Sequence, residues 1–259
     1  MSDTQDDPEF QPLTEETFRF RCHKGIDCFT LCCAGLNLVL TPYDILRMKR
    51  RLGLSSEDFL AKYTDTKMDF NTRFPRVVLR MNGDENRTCP FVSVAGCSIY
   101  GDRPGACRLY PIGRAAMKWE HHKEAREKFF IVREAHCRGF QEDREWSLQE
   151  WVANEGLDEY NALNDLWLEI ITSQKGLGPE AQITRKMQMF FMASYNLDKF
   201  REFLFKSPFF ERFEVDAAQK QALAVDDLAL LKFAFQWLKF SLFGEKTLRI
   251  MRNEDVFSE

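Results

Sequence analysis

No two cysteines in this 259-residue chain are separated by two residues. Paired knuckles of that spacing mark most structural zinc modules, so an ordinary zinc-finger arrangement is not expected. The chain also lacks a glycine-rich nucleotide fingerprint, a phosphate-binding loop and a serine nucleophile elbow. Nucleotide-dependent catalysis is therefore not visible. Positive charge is not in excess: 36 Lys and Arg against 40 Asp and Glu give a formal net charge of -4. Neither nucleic acid nor a membrane surface is expected as the main partner. Met1–Pro12 has no basic segment followed by an apolar run, so it does not read as a secretory signal. Leu228–Phe243 carries Lys232 and Lys239 and is too short and polar to span a bilayer. Internal repeats and low-complexity stretches are absent, and no cysteine follows Cys137 although nearly half the chain remains. These absences lead to the expectation of a cytoplasmic protein whose thiols stay reduced.

What is present is a concentration of thiols. Four of the eight cysteines, Cys22, Cys28, Cys32 and Cys33, fall in one short segment. Cys89, Cys97, Cys107 and Cys137 follow at wider intervals. Scattered buried cysteines often act only as small apolar residues. Four thiols beside glycines and charged residues, two of them adjacent, fit metal ligation better. Gly25 and Gly35 suit a loop folded tightly around an ion. Thiolates select zinc, iron and iron–sulfur centres, and dispersed thiols gathered by tertiary folding favour an iron–sulfur cluster over Zn2+. One four-thiolate site or two are both open. Radical S-adenosylmethionine enzymes commonly space three cysteines by three and then two residues. Cys28 and Cys32 satisfy the first interval, but Gly35 occupies the next position, which disfavours that class. His23 and His136 lie beside cysteines, yet eight thiols make histidine ligation unnecessary. Arg103, Arg108 and Tyr110 are candidate cofactor-binding residues, because cationic and hydroxyl donors compensate a thiolate site. They could equally serve to hold a loop bounded by prolines.

The pattern predicts an α+β fold. Residues 1–15 read as a disordered acidic tail, 16–142 as a cysteine-cluster metal-binding domain of short strands and helices, and 143–259 as an all-helical domain. Leu36–Leu40 reads as a strand. Thr41, Pro42 and Asp44 open a helix that runs to Leu52 and stops at Gly53. Its basic run, Arg47 to Arg51, is expected on the solvated face, opposite Ile45, Leu46, Met48 and Leu52. Ser56–Asp58 starts a second helix reaching Tyr63. Strands are expected at 76–81, on both sides of a turn at Ala95–Gly96, and in a hairpin of 112–119 with 128–133. The charged run 120–128 would form the tip of that hairpin. Helices are expected at 148–153 with Ser147 as cap, 157–172, about 180–195, 197–206 and 225–243. The phenylalanines from Phe190 to Phe213 are expected to form helix-on-helix core rather than an aromatic groove.

Three motifs together resemble one family. They are Cys28-Phe29-Thr30-Leu31-Cys32-Cys33, the helix opening Leu40-Thr41-Pro42-Tyr43-Asp44, and Arg103-Pro104-Gly105-Ala106-Cys107-Arg108-Leu109-Tyr110-Pro111. They resemble the YkgJ-type cysteine-cluster family of bacterial proteins, described as a candidate zinc- or iron-chelating domain and including relatives of the flagellin lysine N-methylases. The resemblance covers roughly residues 20–140. It departs from the commoner short form in placing five residues between Cys22 and Cys28. It implies metal held by Cys22, Cys28, Cys32, Cys33, Cys89, Cys97, Cys107 and Cys137. Two functions follow as expectations. The first is a metal-binding protein, structural or electron-carrying, whose helical half binds a protein partner. The alternative is a protein-lysine N-methyltransferase that uses S-adenosylmethionine on a protein substrate. Metal storage or delivery is a third.

Overall fold

A computed structural model describes residues 10–117 and 126–251. In chain order the strands are β1 (Phe10–Pro12), β2 (Thr17–Arg19), β3 (Val39–Leu40), β4 (Thr64–Asp69), β5 (Phe74–Leu79), β6 (Val92–Ser93), β7 (Gly96–Cys97), β8 (Ile112–Met117), β9 (Arg126–Val132) and β10 (Glu145–Ser147). The helices are α1 (Pro42–Leu52), α2 (Ser56–Tyr63), α3 (Gly105–Leu109), α4 (Leu148–Asn154), α5 (Asp158–Ile171), α6 (Glu180–Tyr195), α7 (Leu197–Lys206), α8 (Phe209–Arg212), α9 (Ala217–Val225) and α10 (Asp227–Phe243). Small sheets and a helical second half make this an α+β fold. Two compact units divide the described residues: those falling within Met1–Leu40 and Val78–Asp165, and those within Thr41–Val77 and Leu166–Glu259.

All eight cysteines lie in the first unit. Its three-stranded antiparallel sheet has the order β1-β9-β8, with Phe10 opposite Val132 and Ile112 opposite Ile131. Residues 10–12 were expected in an unstructured tail, but they pair with the edge of β9 instead, because Phe129 to Val132 offers an apolar strand with free ladder positions. The tip of the 112–133 hairpin, including 120–125, lies outside the described residues. Gly113 is required at its position: an added Cβ would stand 2.0 Å from the Phe130 ring. β2 and β10 form an antiparallel ribbon that sets Phe18 opposite Trp146. The core gathers Phe18, Phe20, Ile112, Ile131 and Trp151, with Tyr110, Phe140 and Cys137 packed against it. Phe20 meets Trp151 edge-on, with ring centroids 5.7 Å apart. Each of these large side chains contributes about 2 kcal/mol by leaving water. Trp146 Nε1 donates to the Phe20 carbonyl and Trp151 Nε1 to the Leu109 carbonyl, both at 2.9 Å. α4 starts with a capping box in which Ser147 and Glu150 satisfy each other's backbone N–H groups.

The expected strand over 36–40 shortens to Val39–Leu40. Gly35 turns the chain with φ +65°, and Ala34 pairs instead with Thr88. The ladder resumes only where the Leu79 N–H reaches the Leu38 carbonyl.

The second unit is mainly helical. α1 begins with a capping box between Thr41 and Asp44, carries Pro42 in its first turn, and ends at Gly53 with φ +65°. Ser55 caps α2. α10 is buried on most of its circumference, through Leu230, Leu231, Phe233, Ala234, Phe235, Trp237, Leu238 and Leu242. A helix apolar on so many sides sits in the middle of its bundle. Most of the phenylalanines pack into core: Phe190, Phe200 and Phe209 are buried, whereas Phe205 is exposed, and Phe209 packs on Phe203, Phe213, Phe233 and Trp237. The solvated-face expectation for the basic run fails at Lys49. That side chain is 6% exposed and its Nζ lies 2.8 Å from Asp198 Oδ1. Asp227 also accepts from Arg50 and Arg201. Burial of a lysine is tolerated here because carboxylates line its end. No helix among the described residues is long and apolar enough to cross a membrane.

Candidate metal centre

The cysteine segment is a succession of tight turns. Backbone N–H groups of Ile26, Phe29, Leu31 and Cys33 each reach a carbonyl three residues back. Thr30 supports this path with a left-handed backbone, φ +71°, just before the 3-10 turn Leu31–Cys33. Such winding brings Cys28, Cys32 and Cys33 within a short arc.

Three further segments are tied to this arc by backbone hydrogen bonds. The first is Thr88–Cys89, held by the Ala34–Thr88 bridge and by the Cys89 N–H donating to the Cys33 carbonyl at 2.7 Å. The second is the β6–β7 hairpin. Val92 N–H donates to the Cys89 carbonyl and Ser98 N–H to the Phe91 carbonyl, while Cys97 pairs with Val92. Gly96, with φ +107°, lets the hairpin approach the ring of Phe29, where a Cβ would stand at 3.1 Å. The third is Glu134–Gln141. Arg21 N–H donates to the Gly139 carbonyl at 3.1 Å, and Arg138 N–H donates to Cys28 Sγ, also at 3.1 Å. Gly139 permits this because Phe20 lies where its Cβ would be, 2.5 Å away.

The result is a set of thiols that feel one another's charge. Burial pushes the Cys22 thiol up to about 11, and Cys32, Cys28 and Cys137 add to the effect. Cys22 reaches solvent, so the crowding is of protein around its sulfur rather than full enclosure. Cys32 is raised furthest, first by a hydrogen bond to its neighbour Cys33 and then by burial, with Glu134 contributing. Burial also raises Cys137, with Cys28 and Cys32 nearby. Cys89 is raised by burial and by Cys97 and Cys32. Cys32 thus joins two groups, one with Cys22, Cys28 and Cys137 and the other with Cys33, Cys89 and Cys97. Cys107 sits half-buried on α3. Every cysteine carries a thiol rather than a disulfide. Among the described residues, no three Cys, His, Asp or Glu side chains are drawn close enough to enclose an ion.

The three flanking candidates divide. Arg103 donates to the Tyr100 carbonyl at 2.7 Å and to Glu155, and stacks 3.7 Å above the Tyr100 ring. Arg108 donates to the carbonyls of Glu155, Arg103 and Gly101. Both guanidinium groups therefore hold the 100–108 loop. Burial raises Cys97 as it does Cys22, and the Arg103 charge partly opposes the rise at both. Tyr110 is different. Burial, followed by the adjacent Cys137 and Glu134, pushes its hydroxyl well above the ordinary range. That Oη and Glu134 Oε2 are both buried, and neither makes a hydrogen bond of good geometry. Buried polar atoms left in this state are costly, and the contact to Glu134 Oε2 that the structure holds is His136 Nε2 at 3.5 Å. His23 has both ring nitrogens engaged: Nδ1 accepts from the Gly25 N–H at 3.1 Å, and Nε2 donates toward Glu142 at 3.2 Å. Its role is to shape the loop. Glu134 was not singled out from sequence; its place three residues before Cys137 was the available signal.

The donor set is that of a chelating domain, rich in soft sulfur and framed by backbone N–H groups. Residues 21–144 match the family model CxxCxxCC, whose description reads "Putative zinc- or iron-chelating domain". This segment is therefore a domain of that cysteine-cluster family. Its own spacing is wider than the family label, with five residues between Cys22 and Cys28 and three between Cys28 and Cys32. No curated protein and no solved structure matches the chain.

Proposed function

We propose that the first unit chelates zinc or iron through thiolates, with Cys22, Cys28, Cys32 and Cys137 as the principal ligands. The observation that carries this reading is the Arg138 N–H that donates to Cys28 Sγ at 3.1 Å, which brings the Cys137 loop against the cysteine arc although it comes from a segment far along the chain. Cys33, Cys89 and Cys97 form the adjoining group, available to a second ion or to a larger cluster. Cys107 completes the sulfur set implied by the family. Within the zinc-or-iron choice, an iron–sulfur cluster is the finer reading. Its thiols come from separate segments rather than knuckles, and the Arg138 N–H donating to Cys28 Sγ is a contact that tunes cluster potentials. When bound, a cluster supplies electron transfer, whereas zinc supplies rigidity. The chain's residues do the remainder: Gly139 and Phe20 fix the approach of Cys137, and Arg103 offsets thiolate charge. No observation favours an S-adenosylmethionine site.

The test is metal and acid-labile sulfide analysis, with a visible spectrum, on protein purified without oxygen. Brown protein carrying iron and sulfide supports the cluster. Colourless protein with tightly held zinc supports chelation and removes the cluster. Absence of both metals from folded protein removes the proposal.

A further inference from the structure

We propose that β4 is the surface through which two copies of this chain pair, edge to edge and antiparallel, independently of the metal. β4 (Thr64–Asp69) is the end strand of the order β3-β5-β4. It pairs with β5 on one side, and no strand among the described residues follows it on the other. Asp65, Thr66, Lys67 and Met68 are all exposed. Successive side chains of a strand point to opposite faces, so both faces of this stretch meet water. Met68 is 50% exposed, and Phe70, directly after the strand, is 88% exposed. An edge in this state is a template for another strand.

The charges decide which strand it accepts. Edge strands are commonly protected by charged side chains. Here the two exposed charges are of opposite sign and two residues apart, so Asp65 and Lys67 share one face. A second β4, running antiparallel about Thr66, sets Lys67 opposite Asp65 and Asp65 opposite Lys67. Thr66 then faces Thr66 of the second copy, and Met68 faces Thr64. Opposite charges and Thr–Thr neighbours are both favourable cross-strand pairs. The two-fold symmetry repeats the ion pair on each side of the axis. A register centred on Met68 would instead set Lys67 opposite Asp69. That carboxylate is already engaged: its Oδ1 accepts from the Asn71 N–H at 3.0 Å, and its Oδ2 lies 3.9 Å from Arg76 Nη1. A ladder over residues 64–68 is a small interface, so the association is weak and depends on concentration.

Sedimentation velocity of the full chain over a concentration series tests this. Native protein is expected to move from 30.5 kDa towards twice that mass as its concentration rises. Lys67→Glu sets a glutamate against Asp65, and Asp65→Lys sets a lysine against Lys67. Each should raise the dimer dissociation constant by about tenfold or more. Both positions are exposed, and circular dichroism checks that the variants fold. Mixed in equal amounts, the two variants should form a heterodimer with close to native affinity, because each then meets opposite charges at both positions. Native protein that stays monomeric up to roughly 1 mM overturns the proposal. So does a native dimer that neither variant weakens, or a mixture of the variants that stays monomeric. Weakening by Lys67→Glu with no effect of Asp65→Lys overturns the register about Thr66.

Discussion

The amide of Arg138 donates a hydrogen bond to the sulfur of Cys28 at 3.1 Å, across 110 positions of sequence. That contact joins the cysteine arc to the Cys137 loop, and the neighbouring glycine makes it possible. Gly139 cannot accept a side chain without displacing Phe20 from 2.5 Å away, and Phe20 is 2% exposed in the core. Gly139→Ala should cost about 1–3 kcal/mol, the range of overpacked cores. It should also weaken metal binding, because Cys137 moves with the loop. Urea unfolding and a metal titration on the same variant check both. Unchanged stability would mean that the loop yields freely.

The metal-free protein should lose stability in alkali. Cys22 is raised from 9.0 to about 11 by burial and neighbouring thiols. The folded state therefore holds this proton more tightly than the unfolded chain does. The resulting stabilisation is complete below pH 9 and disappears as the pH rises from about 9 to about 11. Metal-loaded protein should lack this decline, since its thiolates have already given up their protons. Metal affinity should accordingly increase with pH. Melting temperatures of both forms across pH 8 to 11, taken with proton release on metal addition, test the sign.

Acid should act on the second unit instead. Burial raises Asp198, but the hydrogen bonds from Lys49 and the Ser56 amide outweigh it and hold the carboxyl below its usual value. Asp227 is lowered likewise, burial being outweighed by Arg201, Lys49 and Arg50. Their stabilisation is present above about pH 4 and is lost as the pH falls through the depressed values. Lys49→Met should remove part of it, at a cost of roughly 1–3 kcal/mol. This lies below the figure for fully buried pairs because Asp198 is still 35% exposed. A stability-versus-pH curve for the variant should be flatter below pH 4 than that of the native protein.

Much of the helical framework was legible in the chain. The Thr41–Asp44 start and the Gly53 stop of α1, and the bounds of α6 and α7, lie where local capping and periodicity place them. Local signals suffice there because each end is set by residues within a turn of it. β2 and β10 were not legible: they are three-residue strands from distant segments, joined by aromatic packing of Phe18, Trp146 and Trp151. Lys49 was misplaced for a similar reason. Its burial depends on Asp198 and Asp227, which periodicity on α1 cannot reveal. At the centre, the thiols were evident from composition, but the closeness of Cys137 to Cys22, Cys28 and Cys32 depends on Gly139 and on the Arg21–Gly139 hydrogen bond.

The most direct measurement is metal bound per chain in Cys28→Ser, compared with native protein prepared in parallel without oxygen. Cys28 Sγ accepts the Arg138 amide that joins the two cysteine-bearing loops. The account predicts that native protein retains zinc or iron through gel filtration while Cys28→Ser loses most of it and unfolds more readily. A Cys28→Ser protein holding the native complement of metal would contradict the assignment of these thiols as the ligands.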